Sequence, residues 1–176
     1  KNPGVGLVNG LYATSAGVGG LTIIEAGKTH SETKFSLVLT GQQGDVMKES
    51  MSCAKTIAWN LLPQEIKNKI QDDWKDNGAW GLHIHCPDAA TPKDGPSAGG
   101  AITLSIVSQL SGVPVKNTVA MTGEIDLNGN IKQIGGLVSK LTGAKKAGVT
   151  LALIPRENEE DLIKMRKDDL SPEGDD

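Results

Sequence analysis

Aromatic residues make up only 3 % of this 176-residue chain: three tryptophans, one tyrosine and one phenylalanine. A core must therefore be built from valine, isoleucine, leucine, alanine and methionine. The stacking platforms that a single-strand nucleic-acid binder needs are missing. Positive charge is not in surplus either, since the formal net charge is -3, which argues against a partner gripped by its phosphate backbone. No stretch reaches the ~18 consecutive apolar residues of a membrane span. Cysteine is scarce. Cys53 and Cys86 lie far apart and form no C-x-x-C pair, which points to a reducing compartment. The chain opens on "KNPG" without an initiator methionine or a signal-like apolar segment, so it is expected to be an excised piece of something longer.

What is present suits one globular domain. Hydrophobic content is 38 % and charged content 22 %, ordinary values for a chain long enough to bury a core. Residues 1–170 are expected to form that domain, with 171–176 as a polar, acidic tail. The first 43 residues alternate apolar runs with glycines, "VGLVNGLYAT", "LTIIEA" and "FSLVLTG", and read as strands joined by tight turns. The period then changes. Met47, Met51, Ala54, Ala58 and Leu61 trace one face of a helix that stops before Pro63. Residues 64–80 are polar and read as a short helix plus loop. In "GLHIHC", Leu82, Ile84 and Cys86 alternate with His83 and His85, which predicts a strand with one wet face. A mostly buried helix is expected over 97–111. A strand, a hairpin through Asn128-Gly129 and a returning strand follow over 117–136. A helix near 137–147, a strand "VTLALIP" and a last helix complete an α+β domain, a layered α/β arrangement of mixed sheets and flanking helices.

The stretch "TPKDGPSAGG" crowds small residues around Ser97. A serine opening a helix is either a cap or a nucleophile, and a nucleophile needs a base. None of the three histidines carries a local catalytic signature. His83 and His85 share a face but lack a third metal ligand at recognised spacing, so a satisfied structural pair is the expected reading. Cys86 beside His85 is a poor nucleophile–base pair, because neighbours on a strand point to opposite faces. Lysine can act as base where an apolar site lowers its pKa. In "GGLVSKLTGAKKAG", Leu137, Leu141, Ala144 and Ala147 define one helical face, and Lys140 falls inside it, whereas Lys146 points away and Lys145 lies near the edge. A lysine there also reads as one that snorkels its head to water.

The segment from "HIHCPDAATPKDGPSAGG" through "MTGEI", "GNIKQIGGLVSK" and "IPREN" resembles the proteolytic domain of Lon, the ATP-dependent serine protease. "VGLVNGLYATSAGVGG" and "TGQQGDVMKES" extend that resemblance upstream, and "PDAATPKDGPSAG" favours its soluble-ring class. The resemblance implies Ser97 as nucleophile and Lys140 as base, with Thr122 and Asp94 as supporting residues. Where the family often has a second lysine, this chain has Val138. The family usually continues past "IPREN" with a further strand and helix, so the C-terminal edge here is expected to be short or altered.

The resemblance also implies an acyl-enzyme mechanism, unfolded or damaged proteins as substrates, a homo-hexameric ring and an AAA+ ATPase module in the full-length chain. No cofactor or metal is expected in this domain, and ATP and magnesium are expected for the ATPase part. A bacterial cytoplasm or mitochondrial matrix would suit it; no membrane is implied and nucleic acid is not indicated. Gly95, Gly99 and Gly100 are expected to hold the approach open for a substrate strand, and the helix N-terminus at Ser97 to receive an oxyanion. The nearest approach to a phosphate-binding loop, "TIIEAGKT", has Thr22 in place of the first glycine. A rival reading is a Lon-like assembly or DNA-linked domain without proteolysis.

Overall fold

The computed structural model describes residues 4–41, 44–86 and 96–168. Strands β1 (Leu7–Ala13), β2 (Gly19–His30), β3 (Leu37–Thr40), β4 (Trp80–His85), β5 (Val119–Met121) and β8 (Leu151–Leu153) form one sheet in the order β3-β4-β2-β1-β5-β8. β6 (Glu124–Ile125) and β7 (Ile131–Lys132) pair in a second, small sheet. The helices are α1 (Asp45–Leu61), α2 (Gln64–Asn77), α3 (Gly99–Ser111), α4 (Leu137–Lys146) and α5 (Glu159–Lys167). Antiparallel β1–β2 and β2–β4 ladders combine with parallel β3–β4, β1–β5 and β5–β8 ladders. The result is the expected α+β domain.

Two apolar cores lie on the two faces of the large sheet. One joins Val8, Ile24, Ala26, Leu82 and Ile84 to Met47, Met51, Ala54 and Ala58 of α1 and to Ala101, Ile102 and Ile106 of α3. The other gathers Leu11 and Ala120 against Leu137, Leu141 and Ala144 of α4 and Met165 of α5. The period-2 alternation of β1 explains the split, because Val8 and Leu11 fall on opposite faces. "TIIEAGKT" lies wholly within β2, so no strand-to-helix turn exists there for a phosphate.

Three expectations need correction. Leu61 is 63 % exposed, and Ile57 and Leu62 take the buried places instead. The chain leaves the helix at Leu62, whose extended backbone turns that side chain into the core. Residues 64–77 are one 14-residue helix anchored by Ile70 and Trp74, one turn apart on the same face. The hairpin joining β6 to β7 is longer than an Asn-Gly turn. Asp126 accepts N–H groups from Asn128 and Asn130, both at 2.9 Å, and the Asn130 amide at 3.1 Å. Those bonds hold its carboxyl below the usual carboxylate range, the largest effect coming from the Asn130 backbone.

Four of the five aromatic residues meet in one cluster on the α1–α2–β4 flank. Ring centroids are 5.4 Å apart for Phe35–Trp59, 5.6 Å for Trp59–Trp74 and 5.2 Å for Trp74–Trp80. Lys28 and Lys55 lie over Trp80 and Phe35, where the ring faces attract a cation. Phe35 takes a left-handed φ of 58°, a strain of ~1 kcal/mol or more that its packing must offset.

Asn158, only 1 % exposed, ties the approach to α4 against α5. Its amide donates to the Ile134 carbonyl at 2.9 Å and to Asp161 at 2.7 Å, and its oxygen accepts the Ile134 N–H at 3.0 Å. Asn158→Ala leaves both Ile134 groups unpaired and is expected to cost about 2 kcal/mol. Thermal unfolding checks this, and an unchanged midpoint would show that the clamp contributes nothing.

Candidate active site

Ser97 is half-buried in a 3-10 turn, Pro96–Ala98, immediately before α3. Two backbone bonds pin this turn to one residue of the segment between β5 and β6. The Gly123 N–H donates to the Ser97 carbonyl at 2.8 Å, and the Gly100 N–H donates to the Gly123 carbonyl at 2.9 Å. Gly123 has φ 152°, and a Cβ there would run into Ile131. A Cβ on Gly99 would stand 2.9 Å from Ile125 Cγ2, and one on Gly100 2.7 Å from Met121 Cε.

These contacts revise two expectations. Gly99 and Gly100 make room for the protein's own segment 121–125, not for an incoming strand. Gly95 lies outside the described residues. Ser97 also does not begin the α-helix, because α3 starts at Gly99 and its N-cap is Ala98. The Gly100 N–H, already bonded to Gly123, is not free to receive an oxyanion.

Lys140 is 5 % exposed on the buried face of α4, beside Leu137, Leu141 and Ala144. Lys145 and Lys146 are exposed. Ala147 is exposed too, so the buried face ends one turn earlier than its periodicity suggests, at the end of the helix. Burial lowers the Lys140 pKa below that of an ordinary lysine, and it is the sole cause of the shift. Helix α4 comes unusually close to β2: a Cβ on Gly19 would collide with the Ser139 carbonyl, and one on Gly143 with Gly19 itself. This contact fixes the backbone that carries Lys140.

Thr122 is 1 % exposed and adjoins the residue that holds the Ser97 turn. Its N–H donates to the Leu153 carbonyl at 3.1 Å, whereas its Oγ1 is buried without a hydrogen-bond partner. No hydrogen bond links Thr122 Oγ1 to Lys140. Asp94 lies outside the described residues. Among those residues the structure therefore joins Ser97 to the Thr122–Gly123 segment through backbone bonds, and carries Lys140 separately on α4. What sequence reasoning missed is the role of Gly123, since "MTGEI" has the look of one continuous strand.

His83 and His85 are bridged by a single hydroxyl. Thr40 Oγ1 stands 2.8 Å from His83 Nε2 and 2.6 Å from His85 Nδ1, the satisfied pair that was expected. Cys86 is fully buried on the other face.

Ser97 thus sits in a tight turn, Lys140 is desolvated by burial, and Thr122, between them in sequence, is buried. The family model for the Lon protease (S16) C-terminal proteolytic domain matches residues 1–171. The chain belongs to this family. It is 49 % identical over 172 residues to the Lon protease of Campylobacter jejuni, covering 93 % of this chain and 21 % of that protein. The Lon protease homolog of Acanthamoeba polyphaga mimivirus is 45 % identical over 177 residues, covering 97 % of this chain and 17 % of that protein. Lon protease of Clostridioides difficile is 45 % identical over 161 residues, covering 92 % and 19 % respectively. The chain thus spans about a fifth of the length of these relatives. Lon-family membership accounts for the whole matched span. These relatives give no support to the non-proteolytic alternative.

Proposed function

We propose that this Lon-type domain is a serine endopeptidase that hydrolyses peptide bonds of unfolded polypeptide, with Ser97 as nucleophile and Lys140 as general base. The observation that carries the reading is the buried Lys140, whose burial lowers its pKa and so eases the loss of its proton to give a proton-accepting amine. Ser97 Oγ attacks the scissile carbonyl while the Lys140 amine takes its proton. The resulting ammonium then protonates the departing amine, leaving an acyl-enzyme. Water, deprotonated by the same amine, releases the acid and restores the Ser97 hydroxyl. Thr122, whose buried hydroxyl has no partner among the described residues, acts as a supporting residue that accepts from the lysine during this cycle, and Asp94 acts as another.

The course of the substrate strand follows from the sheet. The Thr14 N–H donates to Val18 and the Ala26 N–H to Gly6, so even-numbered residues of β1 bond toward β2 and odd-numbered ones face β5. The β1–β5 register ends at Gly10 opposite Met121, after which the chain turns away toward Ser97. Among the described residues no strand pairs with the N–H and C=O of Ala13 on that side. An extended substrate completes the sheet there.

Residues 1–170 constitute the proteolytic unit and 171–176 a polar tail, in keeping with a family match that ends at residue 171. In the full-length protein the domain works beside an AAA+ ATPase using ATP and magnesium, within a homo-hexamer. Among the described residues no helix is long and apolar enough to cross a membrane. The bacterial relatives and the two free cysteines suit a bacterial cytoplasm, and a mitochondrial matrix would offer the same reducing conditions.

A fluorophosphonate probe tests the nucleophile directly. Labelling should occur at Ser97 and nowhere else, and a labelled protein without modification at Ser97 would overturn the assignment. Ala13→Pro tests the strand, since it removes an N–H that no strand among the described residues pairs with on the β5 side. It is expected to lower kcat/KM for peptides about tenfold, the equivalent of one lost hydrogen bond, with fluorophosphonate labelling unchanged.

A further inference from the structure

The face of β4 away from the main core carries His83 and His85, two residues apart and half-buried. Their nearer ring nitrogens, Nε2 and Nδ1, converge on one point, since both lie within hydrogen-bond distance of the same Thr40 oxygen. The rings stand nearly edge to face, with centroids 6.4 Å apart and planes at 78°. The β2 residue opposite His83 is Gly27, which has no side chain and leaves space beside the imidazole. Neither the proposed reaction nor the core uses this pair.

We propose that His83 and His85 form a two-imidazole site for an exchangeable divalent transition-metal ion. Imidazole nitrogen is a preferred ligand of zinc, copper and nickel. The single Thr40 hydroxyl proton serves one of these nitrogens, so the other is an N–H donor to the oxygen. On metal binding that N–H proton shifts to the ring's second nitrogen, and both freed lone pairs share the cation in place of the hydroxyl. Among the described residues no third histidine, cysteine or carboxylate completes a ligand set. An ion held by these two imidazoles alone takes water in its remaining positions and exchanges readily, unlike a four-ligand structural zinc. The Thr40 hydroxyl, displaced or retained as a weak ligand, is the group with which the metal competes.

Zinc titration of the whole chain, followed by calorimetry and by imidazole 15N resonances, tests this. One zinc per chain should bind, shifting the signals of His83 and His85 while that of His30 stays in place. His83→Asn and His85→Asn should each weaken binding at least tenfold, and His30→Asn and Cys53→Ser should leave it unchanged. Zinc should also raise the melting temperature of the wild type but not of the two variants. The unmodified protein decides the matter even if a variant fails to fold. Imidazole signals of His83 and His85 that stay unmoved at saturating zinc would overturn the proposal, as would binding that survives both substitutions.

Discussion

Lys140→Met is expected to abolish peptide hydrolysis, by at least ~10⁴-fold in kcat, while making the domain more stable at neutral pH. Loss of a member of a nucleophile–base pair commonly has a cost of that size. The stability gain follows from linkage. The folded pKa of Lys140 is depressed by burial, so at pH values between it and that of a free lysine the unfolded chain binds more protons. Stability then rises with pH through this window, and the penalty is full below the folded pKa. Methionine fills a similar space without charge and removes the penalty. The measurement is a pair of melting curves, at neutral pH and above pH ~10.5, the ordinary lysine value. The variant should melt higher than the wild type at neutral pH and the difference should shrink at high pH. A variant that is active, or less stable at both, would show that Lys140 is neither the base nor a buried charge. Ser97→Ala should lose activity to the same extent with no such change in its pH–stability profile.

Gly19→Ala is expected to disturb both stability and catalysis. Its Cβ would occupy the position of the Ser139 carbonyl, with the Lys140 amide next to it. Backbone cannot rotate away as a side chain does, so α4 must lift from β2. Overpacking of this kind costs about 1–3 kcal/mol, which in a domain of this size lowers the melting temperature by roughly 2–12 °C. The amine of Lys140 moves with its helix, and kcat should fall steeply while Ser97 itself is undisturbed. Gly143→Ala meets Gly19 from the other side and should behave alike. Wild-type melting and turnover in both variants would mean that the close helix–strand contact does not position the lysine.

Much of this was legible in the sequence, and what escaped has a common physical origin. The burial of Lys140 could be read because helical periodicity places it among Leu137, Leu141 and Ala144. The strands and turns of the first forty residues were likewise set by local alternation and glycine punctuation. The break after Met121 was not legible. Nothing local distinguishes Thr122-Gly123 from the middle of a strand, and the departure depends on bonds to Ser97 and Gly100 from a distant segment. The function of Gly99 and Gly100 was misread for the same reason. A glycine announces that something comes close, but its sequence neighbours do not say whether that is substrate or the protein's own backbone. The hairpin was placed correctly and its length was not, because the Asp126 carboxylate organises a wider loop than Asn128-Gly129 alone would need.

The gathering of Phe35, Trp59, Trp74 and Trp80 on one flank governs what light can report about this molecule. Every indole lies in that cluster, so intrinsic emission follows the loosening of α1, α2 and β4 and carries little news of the serine. Tyr12, the one Phe, Trp or Tyr ring that stands apart from it, lies on β1 next to Ala13, the residue proposed to meet the substrate strand. A fluorophore introduced at Tyr12, not tryptophan emission, is the means by which an arriving peptide could be watched.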